Sequence, residues 1–211
     1  ENALTIENYE LVSAGSQNLT IRIEEDLTKP KLNIITFYYR EKTVTINYEA
    51  VGPENAQNFG SVNPEQEQLA ILSGVATGSV ATAGENYTFV GWYSDQACTT
   101  LLTNADRYVP TKATDAVWAD GTTYYAKFEE KQVTLHYAVV TGCEQMGFVS
   151  PEEELVKVLT GEAQGSTATA GAYYEFVGWY DNQDGSGNAI STSAAFVPTK
   201  DADAAWQDGT T

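Results

Sequence analysis

Apolar and polar residues alternate with a period of two along much of the chain, which predicts β-strands rather than helices. Val44–Val51 and Val133–Val140 are rich in β-branched and aromatic residues, the types that strands favour. Tyr87–Tyr93 alternates after a stretch of Ala, Thr and Gly, a composition that indicates a loop or bulge. Tyr124–Glu130 alternates aromatic and polar residues. The pattern therefore predicts a mainly β fold.

Three segments carry mixed signals. Pro64–Leu72 and Pro151–Leu159 begin with Pro and Glu, which is typical of a helix start. The valines on either side of Lys157 alternate as in a strand, so we favour strands and leave helices open. Ala113–Trp118 fits a single helical turn that buries its indole. An α+β variant of the fold stays open for the same reason.

Two blocks of sequence occur twice. Gly74–Tyr93 returns as Gly161–Tyr180 with 14 of 20 positions identical, and Tyr108–Thr123 returns as Phe196–Thr211. The chain is therefore largely two copies of a unit of about 88 residues. Tandem copies are typical of spacers, stalks and reiterated binding surfaces.

The repeat divides the chain into three modules. Residues 44–131 form the first full repeat and residues 133–211 the second. The second copy stops at DGTT without a counterpart of Tyr124–Glu130, so we expect an unpaired sheet edge there. Because the chain begins and ends within repeated material, we expect it to be a segment of a longer protein.

Residues 1–43 do not match the repeat and predict a partial β module. Its expected strands are Tyr9–Ile23 and Ile34–Glu41, joined by a polar connection. The junction at Arg40–Thr43 has no Gly, Ser or Pro linker, so we expect little freedom between modules. The modules are therefore predicted to follow one another in an elongated array.

The chain is strongly acidic, with a formal net charge of −18. The charge is −2 over residues 1–43, −7 over residues 44–132 and −9 over residues 133–211. Such a surface repels phosphate backbones and anionic membranes, so nucleic acid is not an expected partner. No apolar run approaches the length of a membrane helix, and no signal peptide is visible. Membrane insertion is not expected.

Cysteine and histidine are too sparse for a metal or disulfide framework. Cys98 and Cys143 lie at non-matching positions of the two repeats, so a recurring disulfide is excluded and free thiols are expected. The single histidine, His136, takes the mid-strand place of Asn47, where a structural role is expected. These residues have no zinc-site spacing.

Catalysis is not expected of this chain. Acidic residues are scattered, and no nucleophile elbow, phosphate-binding loop or dinucleotide motif is present. We therefore predict no catalytic residue, no cofactor and no assigned metal ligand.

The loop Asp181–Asn188 is the best candidate for an ion site. The loop has as many oxygen-bearing side chains for its length as a calcium-binding loop. Its ligands would be Asp181, Asp184 and Asn188. It lacks the EF-hand spacing, and the first repeat has SDQACTT in its place. A turn at Asp184-Gly185 is favoured, and calcium binding stays open.

Large aromatic residues recur with the repeat. Trp92 and Trp179 share the context FVGWY, and Trp118 and Trp206 also correspond. Indoles can stack on sugars, but a small β domain needs large side chains for its core, which is the favoured interpretation. Two lysines recur with the repeat, Lys112 and Lys200. An isopeptide crosslink from them is disfavoured, because no Asn recurs with them.

FVGWY, then VPT, then DGTTYYAKFEE resembles the internalin-type B-repeat family. The segments YELVSAGSQNLTI and NIITFYYRE resemble the end of a mucin-binding-protein (MucBP) repeat. Both resemblances imply small β-grasp-like modules in tandem on cell-wall-anchored bacterial proteins, and they carry over no catalytic residues.

The expected function is that of a non-enzymatic repeat segment of a Gram-positive cell-surface adhesin, extracellular at the cell wall, acting as a spacer or stalk. Its expected partners are the neighbouring repeats of the same chain. Two alternatives stay open. The first is a module that binds mucin glycans or a host surface protein. The second is a set of accessory repeats of a surface glycan-active enzyme. Neither the ligand nor the number of repeats follows from the sequence.

Overall fold

The computed structural model describes residues 1–19, 34–201 and 204–207. Within these ranges all regular structure is β and no helix occurs, so the mainly β prediction is confirmed. The strands, in chain order, are β1 (Tyr9–Leu11), β2 (Tyr39–Glu41), β3 (Thr43–Val51), β4 (Gly60–Asn63), β5 (Gln66–Ala70), β6 (Ser79–Ala83), β7 (Tyr87–Tyr93), β8 (Leu101–Thr103), β9 (Arg107–Tyr108), β10 (Thr122–Glu130), β11 (Gln132–His136), β12 (Gly147–Ser150), β13 (Glu153–Lys157), β14 (Ser166–Ala170) and β15 (Ala195–Phe196).

The chain forms two compact units. The first comprises residues 1–51, 61–82 and 89–127, and the second comprises residues 52–60, 83–88 and 128–211. The division into modules that the repeat suggests stays a prediction, as does their elongated arrangement.

A five-stranded sheet with the order β5-β3-β10-β7-β8 organises the first repeat. β3 pairs antiparallel with β5 and parallel with β10, in a register that runs from Thr122 opposite Ile46 to Lys127 opposite Val51. Ile46 and Ala126 are fully buried in this sheet. Burial along β3 alternates, with Val44, Ile46 and Tyr48 buried, so one face of this central strand carries the core.

Two smaller sheets accompany this one. β4, β6 and β9 form a sheet within the first repeat, and β1 pairs antiparallel with β2 in the N-terminal segment that precedes it. Gly78 precedes β6 with φ of +79°, and a Cβ atom there would lie 2.1 Å from the Tyr108 carbonyl oxygen. Its counterpart Gly165 has φ of +83° and the same approach to Phe196. Glycine is therefore required in both copies by conformation and by space.

The second repeat reproduces part of this plan. β11 pairs with β13 as β3 does with β5, and β12-β14-β15 repeats the order β4-β6-β9. Tyr174–Tyr180 is the counterpart of β7, but it forms no regular strand. It makes an isolated antiparallel bridge from Trp179 to Ser191. Within the described ranges β11 has a strand partner on one edge, β13.

Several predicted elements are confirmed. Val44–Val51, Tyr87–Tyr93 and Tyr124–Glu130 lie in β3, β7 and β10. Pro64–Leu72 and Pro151–Leu159 contain strands, β5 and β13, and not helices.

Other predictions need correction. Ala113–Trp118 is not a helical turn: the Ala116 amide donates to the Ala113 carbonyl at 3.1 Å, and Asp115 has φ of +65°, which breaks helical geometry. Three predicted strands are shorter than expected. Val133–Val140 is a strand through His136, and the N-terminal segments are strands over Tyr9–Leu11 and Tyr39–Glu41. Residues 20–33 and the final DGTT lie outside the described residues.

Candidate functional site

The FVGWY tryptophans belong to the core. Trp92 has no exposed surface and Trp179 is 8% exposed. The Trp92 Nε1 donates to the Asp106 carbonyl at 3.0 Å, and the Trp179 Nε1 donates to the Ala194 carbonyl at 3.2 Å. Both indoles are buried and hydrogen-bonded within the fold, so the core prediction is confirmed.

The second tryptophan pair is buried in the same manner. Trp118 donates through Nε1 to the Gly74 carbonyl at 2.8 Å, and Trp206 donates to the Gly161 carbonyl at 2.9 Å. Both residues are buried. Each indole thus holds the loop that follows the β5-type strand, and its polar edge is satisfied.

Two buried tyrosines each donate a hydroxyl hydrogen bond to a carboxylate. Tyr48 donates to Glu67, and Tyr137 donates to Glu154. Burial would raise the pKa of the Glu67 carboxyl, but the Tyr48 hydroxyl and backbone amides outweigh it, so this pKa is lowered. The pKa of Glu154 is lowered for the same reasons. Burial, followed by the neighbouring carboxylate, raises the pKa of Tyr48 far above its usual value.

A further carboxylate lies just before the first strand of each repeat. Glu41 accepts hydrogen bonds from the backbone amides of Leu72 and Ser73, and the Ser73 hydroxyl donates to it at 2.7 Å. Glu130 accepts the corresponding bonds from Leu159 and Thr160. We call these two carboxylates, Glu41 and Glu130, the entry carboxylates.

Sequence reasoning missed all four of these carboxylates. For the two entry carboxylates a signal was present, because EKTVTINY at Glu41–Tyr48 returns as EKQVTLHY at Glu130–Tyr137. A charged residue that recurs at a fixed distance before a buried strand indicates a structural partner inside the repeat.

The remaining predicted candidates do not converge on one site. His136 is exposed at the end of β11, with Nδ1 3.8 Å from Glu153 Oε2 on β13. Cys98 and Cys143 are free and partly buried, and burial raises the pKa of the Cys98 thiol. Lys112 and Lys200 are partly buried, in different units of the chain.

The Asp181–Asn188 loop uses its polar atoms internally. The Asp184 carboxylate accepts from the Ser186 amide at 2.9 Å, and the Asn182 amide donates to the Asp181 carboxylate at 3.2 Å. Gly185 donates to the Asn182 carbonyl and has φ of +68°, so a turn is present. Among the described residues no group of three or more acidic, His or Cys side chains is placed to hold a metal ion.

An open apolar groove lies within the second unit and encloses about 620 Å³. Its lining includes the β11 segment and its extension, 135–140, and the segment 174–180. Trp179 and Phe196 also line it, with ring centroids 5.6 Å apart. We call this feature the 135–180 groove.

Comparison with known proteins identifies the family. A family model of the Listeria-Bacteroides repeat domain matches residues 44–127 and 157–203, which together exceed half of the chain. The chain belongs to the Listeria-Bacteroides repeat family. No curated protein and no solved structure matches it.

The Listeria-Bacteroides repeat family is typical of bacterial surface proteins. Both FVGWY motifs lie inside the matched ranges, so each repeat copy contains a family match. Residues 1–43 lie outside them. The narrower resemblance to internalin-type B-repeats and mucin-binding-protein repeats stays a prediction. In the part of the chain that is described, no helix is long and apolar enough to cross a membrane.

Proposed function

We propose that this chain is a non-enzymatic repeat segment of an extracellular bacterial adhesin, and that it acts as a spacer or stalk at the cell wall. The observation that carries the proposal is the pairing of β3 with β10. These are the first and last strands of the first repeat, and they are parallel neighbours over residues 46–51 and 122–127.

Parallel terminal strands resist tension along the chain. A pull at the start of β3 and at the end of β10 acts in opposite directions along the strand axis, so it slides one strand past the other. The hydrogen bonds of the paired residues then resist together, whereas a pull across an antiparallel hairpin opens them one by one. This arrangement suits a stalk that bears tension along the chain.

The entry carboxylates support the same role. A single residue, Lys131, separates β10 from β11, so tension on β10 reaches the second repeat directly. Glu130, at the end of β10, accepts hydrogen bonds from Leu159 and Thr160 in the loop after β13. This carboxylate therefore fixes the strand end to the body of the next repeat.

Single-molecule stretching of the chain by its two ends tests the proposal. We expect one unfolding event that releases the 43–130 repeat, with a contour-length increase of about 300 Å. As a control, the handles are moved to residues at the adjoining ends of β3 and β5, which are antiparallel, so that the pair is peeled apart. The spacer proposal fails if pulling by the chain ends needs no more force than peeling.

Solution scattering provides a second test of the spacer. A single compact globule of this length has a radius of gyration of roughly 17 Å. We expect a clearly larger value, and a value near that of the globule would contradict an elongated spacer.

A binding module is the second candidate, and the 135–180 groove favours it. Mucin glycans and host surface proteins are the ligands that the resemblance implies. Binding of the intact chain is measured on immobilised mucin and on mucin that has been enzymatically deglycosylated. The difference between the two separates glycan binding from protein binding. Saturable binding to either mucin preparation would favour a binding function over the spacer function.

A further inference from the structure

One residue separates the strands on either side of each repeat boundary. Lys131 lies between β10, which ends the first repeat, and β11, which begins the second. Lys42 lies in the same way between β2 and β3, at the start of the first repeat. Both lysine side chains are exposed. Their main-chain groups, by contrast, are hydrogen-bonded within the fold.

Lys131 is bonded to both repeats. Its amide donates to the Asn86 carbonyl at 2.9 Å, in the turn before β7 of the first repeat. Its carbonyl accepts from the Val158 amide at 3.0 Å, directly after β13 of the second repeat. A flexible linker would leave both groups to water, whereas here the main chain of one residue pairs with the repeat before it and the repeat after it.

Lys42 makes the same two bonds. Its amide donates to the Asn8 carbonyl at 2.8 Å, and its carbonyl accepts from the Ile71 amide at 2.9 Å, directly after β5. Asn8 belongs to the N-terminal segment, which does not match the repeat over its length. The described part of this segment nevertheless contacts the first repeat through the same bonds by which the first repeat contacts the second.

A short block of sequence carries the turn at each boundary. ENY at Glu7–Tyr9 returns as ENY at Glu85–Tyr87. In both copies the tyrosine amide closes a turn by donating to the carbonyl three residues earlier, at 3.2 Å in the first copy and 3.1 Å in the second. The tyrosine then begins β1 or β7, and these strands neighbour β2 and β10. The N-terminal segment therefore ends in the strand pair of a repeat.

The compact units of the chain cross the repeat boundary. The second unit combines residues 52–60 and 83–88 of the first repeat with residues 128–211, so it contains Lys131 and both of its partners. The first unit likewise contains Lys42 and both of its partners. Within each unit, the end of one module is thus packed with the start of the next.

We propose that Glu41-Lys42 and Glu130-Lys131 are two copies of one docking joint, at which the start of each repeat recognises the last strand pair of the module before it. Residues 1–43 supply the end of such a module. The partner at this site is the neighbouring module, held by the main chain of the lysine and by the entry carboxylate one residue earlier. The inference rests on the proposed stalk and adds the site that joins its modules.

The test compares two substitutions of Lys131 in the intact chain. Lys131→Pro deletes the amide that donates to Asn86, and the preceding Glu130 is already in a strand, which proline permits. Lys131→Ala keeps this amide and removes only the side chain, whose Nζ donates to the Glu85 carbonyl at 2.6 Å. Hydrogen exchange of the Val158 amide then reports the other side of the joint. We expect its protection to fall at least tenfold in Lys131→Pro and to stay within twofold of the parent in Lys131→Ala.

Spin labels measure the same joint by distance. Gln57 and Glu162 are exposed, belong to the second compact unit and lie on opposite sides of the repeat boundary. They are changed to Cys and labelled in a chain whose Cys98 and Cys143 are replaced by Ser. We expect a narrow distance distribution in the parent and in Lys131→Ala, and a broad one in Lys131→Pro. Two glycines inserted after Lys131 should broaden it in the same way.

The other joint provides an independent copy of the experiment. Lys42→Pro should lower the protection of the Ile71 amide at least tenfold and leave Val158 unchanged, and Lys42→Ala should change neither. The proposal is overturned if the proline and glycine variants keep the parent protection and the narrow distribution. It is also overturned if the alanine variants lose as much as the proline variants, because the lysine side chains would then hold the modules. These measurements apply no force, so a joint that passes them in a chain that fails the stretching test would overturn the spacer alone.

Discussion

Glu130 and Thr160 are joined by two hydrogen bonds of 2.8 Å, one from the backbone amide and one from the hydroxyl. Glu41 and Ser73 form the same pair, with two bonds of 2.7 Å. Glu130 is itself 8% exposed, so its charge is stabilised by these donors and little by water. The entry carboxylates are therefore expected to contribute to stability.

Replacing Glu130 with Gln tests this contribution. Burial would raise the pKa of Glu130, but the amide and hydroxyl donors lower it below the value of the unfolded chain. The carboxylate therefore stabilises the fold above about pH 4.5, and this stabilisation is lost as the pH falls through the lower folded-state pKa. At pH 7 we expect Glu130→Gln to cost about 2 kcal/mol.

Hydrogen exchange of the Leu159 and Thr160 amides measures the effect locally. Protection should fall in Glu130→Gln at pH 7, and the difference from the parent chain should shrink as the pH falls below about 4.5 and through the lowered folded-state pKa. The exposed residue Glu162, changed to Gln, is the control and should have little effect. A loss that stays the same as the pH falls would show that shape, and not charge, is responsible.

The two FVGWY tryptophans should respond unequally to truncation. Trp92→Ala removes a fully buried indole and should cost about 3–5 kcal/mol. Trp179→Ala should cost less, because Trp179 borders an open groove whose walls can close. Urea unfolding of the two variants gives the comparison, and equal costs would contradict it.

Both cysteines should be present as thiols. Titration of the denatured, unreduced chain should find two per molecule, and the intact mass should equal that of the unmodified sequence. Since burial raises the pKa of Cys98, its alkylation at pH 8 should be slower in the native than in the denatured chain. A mass lower by two hydrogens would indicate a disulfide, and a mass lower by one ammonia would indicate an isopeptide or thioester.

Calcium should act as a general counterion. The carboxylates of Asp181 and Asp184 already accept hydrogen bonds inside their loop. Melting curves with EDTA and with calcium should therefore differ slightly, and sodium chloride at equal ionic strength should reproduce the difference. A shift of many degrees at micromolar calcium would instead reveal a specific site, with Asn188 as a further ligand.

Local features of the fold followed from the sequence because they depend on neighbouring residues. Alternation identified β3, β7 and β10, and the recurrence of Trp92 as Trp179 identified core residues. The placement of β10 between β3 and β7 did not follow, because it joins residues that are far apart in the chain. The length of β11 did not follow either, since a strand continues only where a partner pairs with it.

The polar contacts were harder to predict from the sequence than the strands. Glu41, Glu67, Glu130 and Glu154 resemble any surface carboxylate in composition, and their role depends on which backbone amides a loop turns toward them. In a chain with 29 acidic residues, recurrence in the repeat narrows the choice but does not single out these four, because Glu65 also recurs as Glu152 and Asp115 as Asp203. The predicted helical turn at Ala113–Trp118 failed for a related reason, because the Trp118 amide bonds to Ile71 on a distant loop.

The glycines before β6 and β14 give each repeat a position that a single mutation can damage. Any other residue at Gly78 or Gly165 would meet the carbonyl oxygen of Tyr108 or Phe196 and would need a left-handed backbone conformation. An array of such repeats therefore gains one intolerant position with every copy, so a longer array is a proportionally larger target for damaging mutations.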